Sequence, residues 1–165
     1  MSATKDVIQD IVKMTAGLGF INAVKVTGND TETTLDAMDT ERTVILKAKL
    51  HNTLPDFAGE FGLGNLGFLS GVSALPNYKE ESATIDVVSR ERNGVSSPDH
   101  LMFKDAEGNT DQYRFMSKEI IDQNLQTVKF KGTEWDVTFE PTKAKVAELQ
   151  AVAGIYGGIE PNFTV

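Results

Sequence analysis

A glycine-rich run, GLGNLG at residues 62–67, is the stretch of this sequence closest to known enzyme chemistry. Its spacing matches G-x-G-x-x-G, in which glycines let the backbone approach a pyrophosphate, and Asp86 lies about 20 residues further on, where an acidic residue would bind a ribose. Such a site also needs a buried parallel strand before the glycines. The preceding segment, FAGEF, is short and contains Glu60, so we interpret the glycines as positions where a helix packs closely on a sheet.

Four polar residues alternate through the stretch DAEGNTD in a way that resembles a calcium-binding loop. They are Asp105, Glu107, Asn109 and Asp111. The bidentate glutamate that closes such a loop at its twelfth position is absent, and the Gly and Asn in the stretch favour a tight turn. The pattern therefore predicts the tip of a β-hairpin.

The remaining chemistry-bearing residues form no recognisable catalytic or metal-binding set. The chain has no cysteine, and its two histidines, His51 and His100, have no ligand or nucleophile partner at a known spacing. Trp135 and Phe139 are four apart in a predicted strand, which favours a place in the core over a base-stacking platform. These residues by themselves therefore indicate no catalytic set, and we expect no cofactor or metal.

Two helices and a series of short strands are predicted to carry these residues. The first helix, within residues 4–18, ends at Gly17 and Gly19, and the second is marked by Leu66, Leu69 and Val72 before Pro76. Strands are predicted at 20–28, 33–40, 43–51, 57–61 and 83–92, a hairpin at 100–116, an irregular connector at 116–132, a strand at 134–141 and a last helix from Thr142. In the first helix Val7, Ile8, Ile11, Val12 and Leu18 form the apolar face, and Lys5, Gln9 and Lys13 form a separate hydrated ridge.

The two ends of the chain are related to each other at an offset of 138 residues. The matched pairs in the helix are Thr4 with Thr142, Lys5 with Lys143, Ile8 with Val146, Asp10 with Glu148, Ile11 with Leu149 and Met14 with Val152, followed by Gly19 with Gly157 and Ile21 with Ile159. One inserted residue then aligns Val24 with Phe163 and Val26 with Val165. We infer that a unit of helix followed by strand occurs twice.

Four stretches carry a resemblance to a known family. They are SATKDVIQDIVKM, DFAGEFGLGNLGFLSGVSAL, the hairpin that ends in QYRFM, and EWDVTFEPTKAKVAELQ. In this order they resemble the DNA sliding clamp, or polymerase processivity factor, of tailed bacteriophages. The resemblance covers nearly the whole chain through pattern and short motifs. It implies an α+β DNA-clamp fold, in which an antiparallel sheet carries two helices on one face, and the start of a second such domain.

The resemblance implies a subunit of two similar domains, three of which close into a homo-trimeric ring around duplex DNA when full length. Such a ring catalyses nothing and tethers the replicative polymerase, with a clamp loader as a further partner. We expect a first domain at residues 1–115, a connector at 116–133, and at 134–165 a second domain cut off after its first strand, its first helix and the start of the next strand. Part of the edge that joins subunits would then be missing.

The resemblance also implies two kinds of binding site. The DNA-facing positions on the helices would be Lys5, Gln9, Lys13, Lys143 and Lys145, with Lys79 as a weaker member. An apolar outer pocket for partner peptides would include Ile120, Ile121 and Leu125. Contacts to DNA would be weak and independent of base sequence, because a sliding ring must move.

Composition agrees with this interpretation. The chain has 165 residues and a net charge of −8, yet residues 4–18 hold two lysines against two aspartates, and residues 142–156 hold two lysines against one glutamate. The acidity therefore lies outside the two related segments. No signal peptide or bilayer-spanning run is present, so we expect a protein of the cytoplasm, that of the host if phage-encoded, with no membrane partner. Two other functions stay open, namely a small nucleotide-binding enzyme built on Gly62–Gly67 and a phage structural or interaction module.

Overall fold

The computed structural model of the chain describes residues 3–92, 94–125, 132 and 134–159. The chain divides into two compact units, Met1–Val128 and Lys129–Val165. They are called unit 1 and unit 2 below, and the division falls within the predicted connector. None of the helices in the described ranges is long and apolar enough to cross a membrane. The described structure is α+β, with antiparallel sheets and several helices.

Four short strands of unit 1 form an antiparallel sheet. They are β1 Ala23–Gly28, β2 Thr33–Met38, β3 Ile45–Lys49 and β4 Gly59–Gly64, in the order β3-β2-β1-β4. Burial alternates along β1 and β2, where Val24, Val26, Leu35 and Ala37 point inward. This period of two is expected when one face of a sheet covers a core. The predicted strands here are confirmed, although β4 begins at Gly59.

A second antiparallel sheet of unit 1 has the order β5-β6-β7. Its strands are β5 Thr84–Arg92, β6 Val95–Lys104 and β7 Thr110–Arg114. The predicted hairpin is confirmed, with residues 105–109 forming the connection between β6 and β7. Beyond β7, Met116 makes an isolated antiparallel bridge to Gly62 of β4, with hydrogen bonds of 2.9 and 2.8 Å in the two directions. This bridge joins the chain leaving the second sheet to the first sheet.

Three helices of unit 1 follow from local sequence. Helix α1 is Ala3–Met14, α2 is Leu66–Ser73 and the single turn α3 is Pro76–Lys79. Leu66, Leu69 and Val72 are all buried, as their spacing predicts. Helix α2 ends at Ser73, before Pro76 as predicted, and Pro76 begins α3 because its fixed φ and missing N–H suit the first turn of a helix.

One hydrophobic core serves α1, α2 and both sheets. Ile8 and Ile11 of α1 are 0 and 3 % exposed, and Val7 and Val12 pack partly against the same core. Leu18, expected on this face, is 47 % exposed because α1 has already ended at Met14 and a short 3-10 turn carries Leu18 outward.

A further helix, α4 Lys118–Asn124, was not predicted, since residues 116–132 read as an irregular connector. Its amide ladder continues to Leu125, whose N–H donates to the carbonyl of Ile121 at 2.8 Å. Residues 126–131 and 133, the remainder of that predicted connector, lie outside the described residues.

Unit 2 contains helix α5, Lys143–Tyr156, which confirms the helix predicted from Thr142. Thr142 is its N-cap, and the hydroxyl oxygen accepts the amide of Lys145 at 3.3 Å. The strand predicted at residues 134–141 is absent: this segment has no regular secondary structure, and Trp135 and Phe139, expected in a core, are 70 and 71 % exposed. A strand needs a paired neighbour, and this segment has none among the described residues. The start of the next predicted strand, including Phe163 and Val165, lies outside them.

Candidate nucleic-acid interface

Three of the residues predicted to face DNA lie around one pocket of unit 1. Gln9 and Lys13 come from α1, Lys79 comes from α3, and Ser70 and Ser73 from α2 complete the polar wall. The pocket has a volume of about 390 Å³. Lys13 and Lys79 are exposed and Gln9 is half-buried. Residues 66 positions apart in sequence thus place their side chains at a common surface.

The chemistry of this pocket suits an anion with several oxygen atoms. Two lysine ammonium groups supply positive charge, and the serine hydroxyls and the Gln9 amide supply neutral donors. The hydroxyl of Ser73 is buried and has no hydrogen-bond partner within the described residues. Phosphate oxygens of a nucleic-acid backbone accept from these donor types without reference to base sequence.

Lys5 does not belong to this surface. Its side chain is buried, and its ammonium donates to the backbone carbonyls of Glu80 at 2.5 Å and Ala83 at 3.3 Å. The prediction of a hydrated ridge through Lys5, Gln9 and Lys13 is therefore wrong at its first position. The turn between α3 and β5 covers this end of α1, which the four-residue spacing of the ridge could not reveal.

In unit 2, the predicted DNA-facing residues Lys143 and Lys145 are both exposed on α5. Lys145 forms an exposed ion pair with Glu148 at 2.7 Å, three residues along the helix. Such a pair is screened by salt and leaves the ammonium able to exchange partners.

The three residues predicted for the partner-peptide pocket all lie on or next to α4, but they do not share an environment. Ile120 is 49 % exposed, Ile121 is fully buried, and Leu125 is half-buried. Beside α4 a pocket of about 380 Å³ is bounded by other residues, among them Phe61, Pro98, Phe115, Met116 and the segment 117–119. The prediction of one shared apolar wall is therefore wrong for Ile121, which faces inward.

A cluster of alternating charges fastens α4 to the first sheet. This charge cluster comprises Lys25 of β1, Glu60 of β4, and Lys118 and Asp122 of α4. Lys25 lies 2.5 Å from Asp122 and 2.9 Å from Glu60, Lys118 lies 3.0 Å from Asp122, and Lys118 also pairs with Glu60. Hydrogen bonding to Asp122 raises the pKa of Lys25, and hydrogen bonding to Lys118 lowers the pKa of Glu60. Lys25 and Glu60 are far from α4 in sequence, so no local spacing indicates this cluster.

The glycine run lacks the surroundings of a dinucleotide site. Strand β4 runs antiparallel to β1, and β5, which follows α2 and α3, belongs to the other sheet. A cofactor crevice of that class needs parallel strands on both sides of the helix. Gly62 instead leaves room for a neighbour, because a Cβ there would lie 2.8 Å from Ile121. This agrees with our interpretation of the glycines as a place of close helix-to-sheet packing.

The polar hairpin tip is held together by one carboxylate, that of Asp105. Asp105 accepts the amides of Glu107 and Asn109 at 3.0 and 2.8 Å, and the side-chain amides of Asn77 and Asn109 at 3.0 and 2.9 Å. These bonds, that from Asn77 first, lower the pKa of Asp105 to about 2. Among the described residues no group of three acidic, histidine or cysteine side chains could hold a metal ion.

A scan of the chain against protein-family models found no match, and a search of curated proteins found none either.

Proposed function

We propose that this chain is a subunit of a DNA sliding clamp, which surrounds duplex DNA and tethers a replicative polymerase without catalysing a reaction. The observation that carries the proposal is the meeting of Gln9, Lys13 and Lys79 around one pocket with two serines. All three are among the residues that the resemblance assigns to the DNA-facing side. Two cations at such a surface would give weak, sequence-independent phosphate contacts.

The wider fold supports the proposal in outline. Antiparallel sheets with helices packed on one core are compatible with a clamp domain, though not specific to it. The net charge of −8 would repel DNA from most of the surface, so that the lysine-bearing helices would provide the attractive face. Partners of a DNA polymerase and a clamp loader, and a homo-trimeric ring for a full-length subunit, are part of the same proposal.

The DNA contact is tested by measuring the affinity for a labelled duplex across a range of salt concentrations. Replacing both Lys13 and Lys79 by Ala should weaken binding and reduce the slope of log K against log salt by about 2, since each phosphate contact contributes about 0.9. The matched control replaces Lys47 and Lys49, two exposed lysines of β3, by Ala. Equal slopes for the two double variants would contradict the proposed surface.

The ring is tested separately by retention on DNA of different topology. A clamp should stay on a nicked circular duplex through a high-salt wash and leave when the circle is linearised. Equal retention on circular and linear DNA would exclude encirclement and favour an interaction module that binds DNA from one side.

A further inference from the structure

Helix α4 is attached to the sheet by very few apolar contacts. Ile121 is its one buried side chain, and it occupies the gap left by Gly62, where an added Cβ would come within 2.8 to 2.9 Å of three Ile121 atoms. The other face of α4 is open to water, as the 49 % exposure of Ile120 shows. A helix of seven residues is too short to be stable alone, so α4 stays helical only while it is docked.

The rest of the attachment is electrostatic and half-exposed. In the charge cluster, the side chain of Lys25 is 19 % exposed, and those of Glu60, Asp122 and Lys118 are 37, 39 and 48 % exposed. Each carboxylate contacts both cations, so the loss of one member leaves the others with fewer partners. Pairs this accessible to water are weakened by dissolved salt.

The residue two positions before α4, Met116, is held firmly against the first sheet. Met116 is tied to Gly62 by hydrogen bonds in both directions, and its side chain fills the space beside Gly64, where a Cβ would lie 2.3 Å from the sulfur atom. Ser117 follows as the N-cap in extended conformation, and its side chain makes no capping hydrogen bond. Because residue 116 is hydrogen-bonded to the sheet and the first turn of α4 lacks a side-chain cap, α4 can unfold from residue 117 onward while the sheet stays intact.

We propose that α4 is a releasable latch, docked on β1 and β4 by Ile121 and the charge cluster and freed by local unfolding when the cluster is screened or broken. Release changes the pocket of about 380 Å³ beside it, because Ser117, Lys118 and Glu119 form part of its wall together with Glu60. The latch thus couples ionic conditions to the shape of a surface pocket. This inference does not depend on the proposed DNA function.

The test is hydrogen exchange of the full chain, followed by mass spectrometry, at several salt concentrations. Amides of residues 121–125 should exchange at least tenfold faster in high salt, whereas the β5–β6 amides of the core keep their protection. Lys25→Met and Gly62→Ala should each produce the fast exchange already at low salt, the first by removing the cation that links Glu60 with Asp122, the second by displacing Ile121.

Two control variants separate the latch from general instability. Gly71→Ala adds the same methyl group to α2, where nothing lies within 4 Å, and Lys47→Met removes an exposed paired lysine from β3. Both should leave the exchange of α4 unchanged. The proposal is overturned if α4 exchanges only together with the core, if its exchange is independent of salt, or if the controls release it as readily as Lys25→Met.

Discussion

The phenolic hydroxyl of Tyr113 donates to the backbone carbonyl of Gly64 at 2.5 Å, and this bond links β7 of one sheet to the end of β4 in the other. Tyr113 is 3 % exposed, and its burial raises the pKa of the phenol above its usual range. Phe115 adds to the junction by stacking on Phe61 with ring centroids 4.5 Å apart. This polar contact between the two sheets of unit 1 therefore lies among aromatic rings, close to the Met116–Gly62 bridge.

Tyr113→Phe should lower the free energy of unfolding by about 1 to 2 kcal/mol, because it leaves the carbonyl of Gly64 without this donor. The ring and its packing remain, so the loss reports on the hydrogen bond. Urea unfolding followed by far-ultraviolet circular dichroism measures it. Tyr156→Phe, at a tyrosine of α5 that is 57 % exposed, is the matched control and should be neutral.

Lys5→Met should destabilise unit 1 by about 1 to 3 kcal/mol, because the carbonyls of Glu80 and Ala83 lose a charged donor in a buried place. Methionine keeps most of the aliphatic length, so packing changes little. Lys143→Met, at the position that the internal repeat equates with Lys5, should have almost no effect because Lys143 is exposed. Chemical denaturation of both variants decides the point, and equal stability would contradict the assigned role of Lys5.

The repeat also makes a paired prediction for apolar residues. Ile8→Ala should cost about 2 to 5 kcal/mol, as is usual for a fully buried isoleucine. Its counterpart Val146 is 39 % exposed, and Val146→Ala should change stability by less than about 0.5 kcal/mol. Similar losses at the two sites would mean that the α5 face is covered in solution.

Asp105 should impose a pH dependence on stability. Its pKa in the folded protein is about 2, below the ordinary value of 3.8, so the folded state favours the charged form. The stabilisation is present above about pH 4 and is lost as the pH falls towards 2. Thermal unfolding at several pH values should show Asp105→Asn melting below the unchanged protein at pH 5, with the difference shrinking by pH 2. Asp30→Asn, which removes an exposed carboxylate between β1 and β2, is the control for the loss of one negative charge.

Much of the secondary structure of unit 1 could be predicted from sequence, because the spacing of apolar residues within each strand or helix indicates its type. Alternation along β1 and β2 follows from one buried face, and the triplet Leu66, Leu69 and Val72 marks the inner face of α2. Helix α4 gave no such signal. Its docking depends on the contact of Ile121 with Gly62, which lies nearly 60 residues earlier in the chain. The residue pattern within α4 cannot indicate the space that Gly62 leaves for Ile121.

The candidate site was predicted only in part, for a similar reason. Sequence spacing placed Lys13 on an outer helical face correctly, but the same spacing placed Lys5 there too. The difference arises from the turn at Glu80 to Ala83, which is distant in sequence. Ser70 and Ser73 were missed because neither belongs to a motif, and only the meeting of α1, α2 and α3 places them beside the lysines.

Trp135, the single tryptophan of the chain, has consequences for how unfolding can be observed. It lies in unit 2 with 70 % of its side chain already meeting water, so its emission has little further to shift when the core of unit 1 is lost. A fluorescence melt would stay nearly flat while α1 and both sheets came apart. The near-ultraviolet circular dichroism of the buried rings of Tyr78 and Tyr113 would change when the core unfolds. Phe103→Trp would place an indole in the core, where its fluorescence would report the same unfolding.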